Sequence, residues 1–586
     1  MWSAAEQIKK RREALGLSQD AVAAKLSVSK SYISQIETAR RPLTVEQAVL
    51  LADLLEISAD MLLVGSGKLP ADVEDLLKRD VVTATTAVRS RTEQSPISYP
   101  REPANPPVAS RKRRGPMGAH AIPALIHVTK TTSSYRAHSY HTKVPPAAIT
   151  PFIEAFTQPG DVVLDSFCGS GMTGVAARSL GRNSLLSDLS PAAVHIARNY
   201  NTYCDPEDLS RAIDRLALAV HPTMSWLYKP VGQGGQTVEY TTWSDVFECR
   251  RCSSQILYWD VVRDHGEMTR CPHCETAMVK ADLKWVGEVP VQTHVSEVGR
   301  RIVSHSPTEQ ELALIAEVSA APIPHWTPSV PFGSDREMWR ASHSAMGIKT
   351  AADFYTSRNL HALAAIRHAI ALEQDSRLRE ALMFAFTACV NRASRRYQWN
   401  EKRPTNVMTG TLYISSLRYE WNAWSLFKRK ASDVLRYYRS FVKGNSTSQV
   451  YERSATDLSC IPDGSVDMAF IDPPFGSNIF YADSSLLWDA WLGSATDQAQ
   501  EIVVNQRRQG ASGGKDIADY GSLLGQAFGE LERVVRPGGQ TVVAFSNSND
   551  RVWEALQDAI SDAGFTVDTV HILDKGQPSI KGVKGQ

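Results

Sequence analysis

Along the first 65 residues apolar positions recur at helical spacing, separated by short polar turns. Within LSQDAVAAKLSVSKSYISQIETARRP, Val22, Ala23 and Leu26 share one face of a helix that Ser18 can cap, and Ser27 to Ser29 form a turn. A second short helix follows with Ile33 and Ile36 inward, which leaves Lys30, Ser31, Tyr32 and Gln35 on its outer face. The pattern stops after Gly65. Residues 66–123, which include SRTEQSPISYPREPANPPVASRKRRGP, hold too little apolar area to offset their ordering entropy and read as a flexible basic Pro/Ser-rich linker. Residues 124–204 then turn to apolar strands alternating with helices: VVLD, a glycine-rich turn, a helix, and SLLSD. That rhythm predicts an α/β fold built on a parallel sheet. It breaks after Cys204, and residues 205–445 form a long insertion with amphipathic helices and its own cysteines. Strand-like runs resume at SQVYE and VDMAFI, so residues 446–586 supply the rest of the sheet, with a helix at Val552–Gly564 and FTVDTVHIL after it. A further strand is not evident in DKGQPSIKGVKGQ, and no fixed-period repeat is visible.

A length of 586 residues corresponds to about four domains at roughly 150 residues each, in line with these boundaries. With 43% hydrophobic and 22% charged residues and a mean hydropathy of −0.25, the chain is neither collagen-like, coiled coil nor wholly disordered. No run of about 18 apolar residues is present, and MWSAAEQIKKRREALG lacks a signal-peptide core, which predicts a cytoplasmic, nucleoid-associated protein with no membrane partner. Lys and Arg total 64 against 63 Asp and Glu, so no global field demands a polyanion. Bases nevertheless outnumber acids between Leu69 and Thr150, where Arg111, Lys112, Arg113 and Arg114 stand together.

Eight cysteines are too few for a disulfide framework in a chain of this length. Cys249 and Cys252 form one CxxC and Cys271 and Cys274 another, at a separation that lets two knuckles close one tetrahedral site. The pattern predicts a structural zinc ribbon over about residues 245–280; four thiolates leave no open position for catalysis. A redox pair is the competing reading. Within the insertion, the basic and aromatic runs at Arg392–Arg403 and Lys428–Arg439 suit phosphate contact and base stacking, or form solvated helix faces.

In GDVVLDSFCGSGMTGVAARSLGRNSLLSD, Phe167, Gly169 and Gly171 follow a strand ending at Asp165 and precede a helix, where glycine lets the backbone approach a ligand at the helix N-terminus. Asp188 ends the next strand, placed to accept both hydroxyls of a ribose. After the insertion a strand runs straight into Asp472, Pro473, Pro474 and Phe475. Consecutive prolines cannot continue a ladder and fix a rigid turn in the crevice where such sheets bind ligands. An aromatic amine is a poor nucleophile; hydrogen bonds accepted from its N–H groups by the Asp472 carboxylate and the Pro473 carbonyl favour the tetrahedral nitrogen that attacks a methyl group. Phe475 offers an aromatic face to a flipped base.

The segment DxFxGxGxTG resembles motif I of the amino-methyltransferases that use S-adenosylmethionine, and DPPF resembles their motif IV, (N/D)PP(Y/F). The resemblance implies a seven-stranded Rossmann-like methyltransferase sheet, S-adenosylmethionine as cofactor, and Asp188 as the ribose-binding acid. It also implies that HSYHTKVPP, with Thr142 and Lys143, lies near the methionine end, and that Asp457 faces the cofactor's adenine. The N-terminal pattern, over about Ala5 to Leu63, resembles the helix-turn-helix of phage repressors, although Ser27 stands where that family usually has glycine. This implies double-stranded DNA as partner, contacted by Gln19, Ser29, Lys30, Ser31, Tyr32 and Gln35. Together these features predict a DNA methyltransferase acting on N6 of adenine in a modification or defence system, with other components of that system as further partners. N4 of cytosine, an RNA or glutamine substrate, and a regulator with a non-catalytic methyltransferase domain are the alternatives.

Overall fold

The computed structural model describes residues 8–9, 12–25, 30–38, 83–90, 122, 132–228, 237–266, 268–296, 302–401, 407–408, 410–505 and 514–573. The chain divides into two units, one holding Met1–Ala84, Ala124–Val128 and Ile572–Gln586 and the other Thr85–Pro123 and Thr129–His571.

In the first unit, helices Gln19–Lys25 and Lys30–Glu37 follow the apolar spacing, with Val22, Ala23, Ile33 and Ile36 buried. Ser18 caps the first helix, its Oγ accepting the Ala21 amide at 3.1 Å. Arg12 Nε meets Glu37 Oε1 at 2.5 Å, and Gln19 Nε2 donates to Glu37 Oε2 at 2.8 Å. That pairing holds the Glu37 carboxyl below its ordinary range against the opposing effect of burial.

The strands are, in chain order, β1 (Thr83–Ser90), β2 (Val162–Asp165), β3 (Asn183–Asp188), β4 (Thr237–Glu248), β5 (Gln255–Leu257), β6 (Lys284–Ser296), β7 (Val303–His305), β8 (Leu417–Trp421), β9 (Ser448–Glu452), β10 (Val466–Ile471), β11 (Val535–Phe545) and β12 (Phe565–Leu573). One seven-stranded sheet has the order β12-β1-β11-β10-β2-β3-β9, and the pairs from β11 to β9 are all parallel. Helices cover both faces, so Val163, Leu164, Met468 to Ile471 and Val542 to Phe545 are buried, as continuous apolar runs in a parallel sheet require. One finding differs from the sequence reading. Strand β1 lies inside the segment expected to be a flexible linker; TATTAVRS is rich in β-branched residues and fits a pleated surface. β1 is the seventh strand of the sheet, ahead of the glycine turn; the residues beyond 573, where the sequence showed no evident strand, lie outside the described ones.

The insertion carries a second sheet, antiparallel, of order β5-β4-β6-β7 with β8 paired to β4. Its helices include Pro206–Leu227, Ser357–Ala371, Ser376–Val390 and Ala423–Arg439. The basic runs are partly internal, which corrects their reading as open phosphate contacts. Arg395 pairs with Glu288 at 2.5 Å, Arg396 is buried against the Met408 and Thr411 carbonyls, and Lys430 donates to the Arg136 carbonyl. Lys428, Arg436 and Arg439 remain on an exposed helix face. Among the described residues no helix is long and apolar enough to cross a membrane.

Candidate active site

Strand order in the large sheet reverses around β2: the chain steps from β2 to β3, returns after the insertion at β9, and crosses to the far side of β2 as β10. The crevice outside the carboxyl ends of strands at such a point is the natural ligand site. Asp165 ends β2, Asp188 ends β3, and Asp472 follows directly on β10. Ala469 pairs with Leu164, and Leu164 with Leu185, so the three acids leave the sheet along one edge.

They line one open cavity together with Tyr140, Thr142, Phe167 to Ser170, Ser454, Pro474, Tyr481 and Glu501. Asp165 and Asp472 are 307 residues apart in sequence. The Asp165 carboxylate accepts the Thr173 hydroxyl at 2.5 Å and the Phe167 amide at 3.1 Å, and burial pushes its pKa up to about 7. Asp188 Oδ2 accepts the Gly169 amide at 2.8 Å and Oδ1 the Ser190 amide at 2.9 Å. Burial raises Asp188 to about 6. Each of its oxygens keeps a lone pair for a hydroxyl donor.

The glycines do different work. Gly169 lines the cavity with φ +48°, and a Cβ there would stand 2.7 Å from Tyr140 Cε1. Gly171, expected to face a ligand, instead caps the helix Met172–Ser179 with φ +72°. A Cβ on it would meet Ala197 Cβ at 2.7 Å, so it serves helix packing behind the cavity.

At the DPPF turn, Asp472 and Pro474 line the cavity and Pro473 does not. Tyr520 donates its hydroxyl to the Pro474 carbonyl at 2.6 Å, and Asn547 Nδ2 donates to the Phe475 carbonyl at 3.0 Å. Phe475 is 8% exposed and packs edge-on to Phe545 at 5.2 Å, inside the core between sheet and helices. This corrects its expected place as an open stacking face, because an apolar ring gains more from that core than from solvent.

Three other expectations change. Lys143 lines the cavity, but its Nζ donates to the Ser134 and His138 carbonyls and to the Tyr200 hydroxyl, and burial holds its pKa well below the lysine range. Asp457 lies outside the lining; it pairs with Arg453 at 2.9 Å and accepts the Ser459 amide, a local turn at the surface. Gln19 is spent on Glu37 within the first unit rather than presented outward. Of the other expected DNA contacts, Lys30 and Ser31 are exposed, Lys30 reaching Asp20 at 2.7 Å, and Gln35 is half-buried. Ser29 and the Tyr32 side chain lie outside the described residues.

Sequence reasoning missed Tyr140, Tyr481 and Glu501. Tyr140 was next to the recognised HTK segment; the other two sit in stretches without a motif. The short helix Tyr481–Ser484 joins the site to the insertion: Tyr481 lies 3.3 Å from the Thr142 hydroxyl, while Asp483 accepts Arg336 Nη1 at 3.0 Å and the Met338 amide at 2.8 Å. Both members of that ion pair are buried. Replacing Arg336 by alanine strands a buried carboxylate, and we expect a loss of about 3–5 kcal/mol in denaturant unfolding. A change under about 1 kcal/mol, the range of exposed pairs, would deny the pair this role.

The four cysteines come together at the end of the long β4–β6 hairpin, all four sulfurs within 4.8 Å of one another. Cys249 Sγ lies 4.0 Å from Cys274 Sγ, and Cys252 Sγ 3.8 Å from Cys271 Sγ. Metal–sulfur bonds of about 2.3 Å in a tetrahedron place sulfurs about 3.8 Å apart. The two knuckles repeat one backbone device: the Ser253 amide donates to the Cys249 carbonyl and Glu275 to that of Cys271, with φ +57° at both Ser253 and Glu275. The quartet could hold a metal ion.

The comparisons follow the same division. Residues 96–199 match the family model of DNA methylases. Residues 8–62 match that of helix-turn-helix domains. The methylase match contains the glycine turn and Asp188 and ends before the DPPF turn. The chain is 41% identical over 61 residues to the type II methyltransferase M.XycI of Xanthomonas campestris pv. cyanopsidis, covering 10% of this chain and 20% of that protein. It is 47% identical over 49 residues to the putative methylase YubD of Escherichia coli (strain K12), covering 8% and 22%. The chain thus spans about a fifth of the length of these relatives. No solved structure matches it. The mixed α/β architecture with its parallel sheet is consistent with a methyltransferase fold.

Proposed function

We propose that the chain is a DNA methyltransferase that moves a methyl group from S-adenosylmethionine to the exocyclic N6 of adenine. The observation that carries this reading is the single cavity shared by Asp165, Asp188 and the Gly169 turn on one side and Asp472 and Pro474 on the other. The first group suits the cofactor. Asp188 would accept the ribose hydroxyls, and the close approach of Gly169 to Tyr140 leaves backbone where a side chain would fill the cradle. When bound, the cofactor supplies an electrophilic methyl group on a cationic sulfur. Asp472 accepts an N–H of the target amine and draws its lone pair out of the ring system toward that methyl. Asp at the first position of the tetrapeptide is what favours adenine over cytosine, by resemblance.

The helix-turn-helix would bring duplex DNA to the enzyme, with Lys30 and Ser31 among its contacts. The cysteine quartet reads as a structural zinc site. The reaction is tested by nucleoside analysis of duplex DNA incubated with the full chain and labelled cofactor. N6-methyladenine is expected; labelled N4-methylcytosine would correct the base, and an unlabelled duplex would remove the proposal.

The raised Asp188 sets the sign of a pH effect. Hydroxyl donors favour its ionised form, so cofactor affinity should climb as pH rises through about 6 and level off above it. Titration calorimetry between pH 5 and 8 checks this, and Asp188→Asn should flatten that part of the profile. An affinity that falls with rising pH would count against Asp188 as a hydroxyl acceptor.

A further inference from the structure

The cavity contains a fourth carboxylate that no motif accounts for. Glu501 lies in TDQAQEIVVN, between the helix Leu486–Leu492 and the helix Ile517–Val534, and is 7% exposed. Its Oε1 accepts the Ala482 amide at 3.1 Å and the Tyr481 amide also donates to the carboxylate, which fixes it beside Tyr481 at the cavity it lines. The segment is clamped from behind, because Lys515 Nζ donates to the Gln498 and Glu501 carbonyls at 2.7 and 2.8 Å. Lys515 therefore holds the backbone, and the carboxylate is presented by a rigid support.

The other carboxylates of the cavity have separate positions. Asp165 and Asp188 flank the glycine turn, whereas Asp472 and Glu501 belong to the DPPF turn and the segments packed after it. Resting on the function proposed above, we propose that Glu501 is the second carboxylate of the methyl-acceptor end, a catalytic residue that takes up the proton released from the methylated amine. In the transfer the amine lone pair forms the new N–C bond, and the C–S bond breaks with its electron pair left on sulfur. Positive charge thereby moves from sulfur to nitrogen, and the nitrogen holds one proton more than the neutral product. An N–H bond then breaks, its electron pair returns to nitrogen, and the proton bonds to the Glu501 carboxylate. A fixed carboxylate at the acceptor end also stabilises the charge as it arrives. Burial raises the affinity of Glu501 for a proton, with its pKa pushed up to about 7, which suits that task near neutral pH.

Glu501→Gln separates chemistry from support, because the amide oxygen still accepts the Ala482 N–H while the carboxylate is lost. Full-length wild type, Glu501→Gln and Glu501→Ala would be compared by cofactor titration, thermal unfolding and single-turnover methylation of duplex DNA at saturating cofactor. The expected result is a Glu501→Gln protein with wild-type cofactor Kd and unfolding midpoint and a transfer rate lower by about 10²-fold or more. A Glu501→Gln rate within threefold of wild type would overturn the proposal, even if Glu501→Ala were impaired, since the carboxylate would then only support Ala482. A cofactor Kd weakened tenfold or more would overturn it too, by assigning the carboxylate to the cofactor. Should Glu501→Gln unfold, Glu501→Asp keeps the charge and withdraws it by one methylene; slowed transfer with an unchanged Kd is expected, and a wild-type rate would sink the idea. Failure of wild type itself to methylate DNA would instead defeat the underlying function.

Discussion

Asp472→Ala is expected to lower methyl transfer by about 10²–10³-fold or more while leaving cofactor affinity within twofold of wild type. The carboxylate follows directly on the last residue of β10 and lines the cavity without belonging to the glycine turn, so its removal is expected to affect the amine and spare the ribose. The loss should fall on kcat, because a hydrogen bond that strengthens as nitrogen becomes tetrahedral stabilises the transition state more than the bound substrate. Single-turnover rates with saturating cofactor and duplex measure it. An Asp472→Ala enzyme that works at the wild-type rate would mean that the DPPF turn is only a turn. A variant that instead fails to bind cofactor would place Asp472 at the wrong end of the cavity.

Removing the metal from the cysteine quartet is expected to have the larger effect on stability. A structural zinc ion held by four thiolates contributes about 10–16 kcal/mol in small domains, and here it would sit in the small hydrophobic core of this part of the insertion. Its core consists of Phe247, Ile256, Val261, Met268 and Leu283 around the cysteines themselves. A strong chelator, or Cys249→Ser with Cys271→Ser, should therefore open residues 249–283 to protease and release one zinc per chain, read by elemental analysis. A purified chain without bound metal, and with the same protease pattern in the double variant, would contradict the zinc reading. A metal held by all four cysteines would have no open position, so partial depletion should reduce activity only in step with unfolding.

The features legible in the sequence are those in which neighbours along the chain decide the geometry. Two prolines after an apolar strand, glycines between a strand and a helix, and paired CxxC knuckles each carry their local conformation with them. For that reason the sequence alone places Asp165, Asp188 and Asp472 at strand ends and Gly169 in the turn, and brings the four cysteines together. Contacts between distant segments were not legible. Phe475 turns into the core because Phe545 from β11 is there to receive it, and Lys143 faces away because three carbonyls and Tyr200 offer better partners than the cavity. Gln19 is drawn to Glu37 by an ion pair that spans 25 residues. Glu501 and Arg336 belong to the same class, each acting through the helix Tyr481–Ser484 from segments without any recognisable pattern. Basic runs misled for a related reason: Arg395 meets Glu288 of β6, a pairing that composition cannot reveal.

Two segments separated by the insertion build one cavity, proposed to hold both cofactor and acceptor. Photo-crosslinking of labelled S-adenosylmethionine to the full chain, followed by peptide mapping, tests it most directly. The label is expected within residues 163–190 and within residues 470–476, competed by unlabelled cofactor and lost from the first segment in Asp188→Ala. Competed label confined to the insertion or to the N-terminal unit, with both of those segments unmarked, would contradict the account.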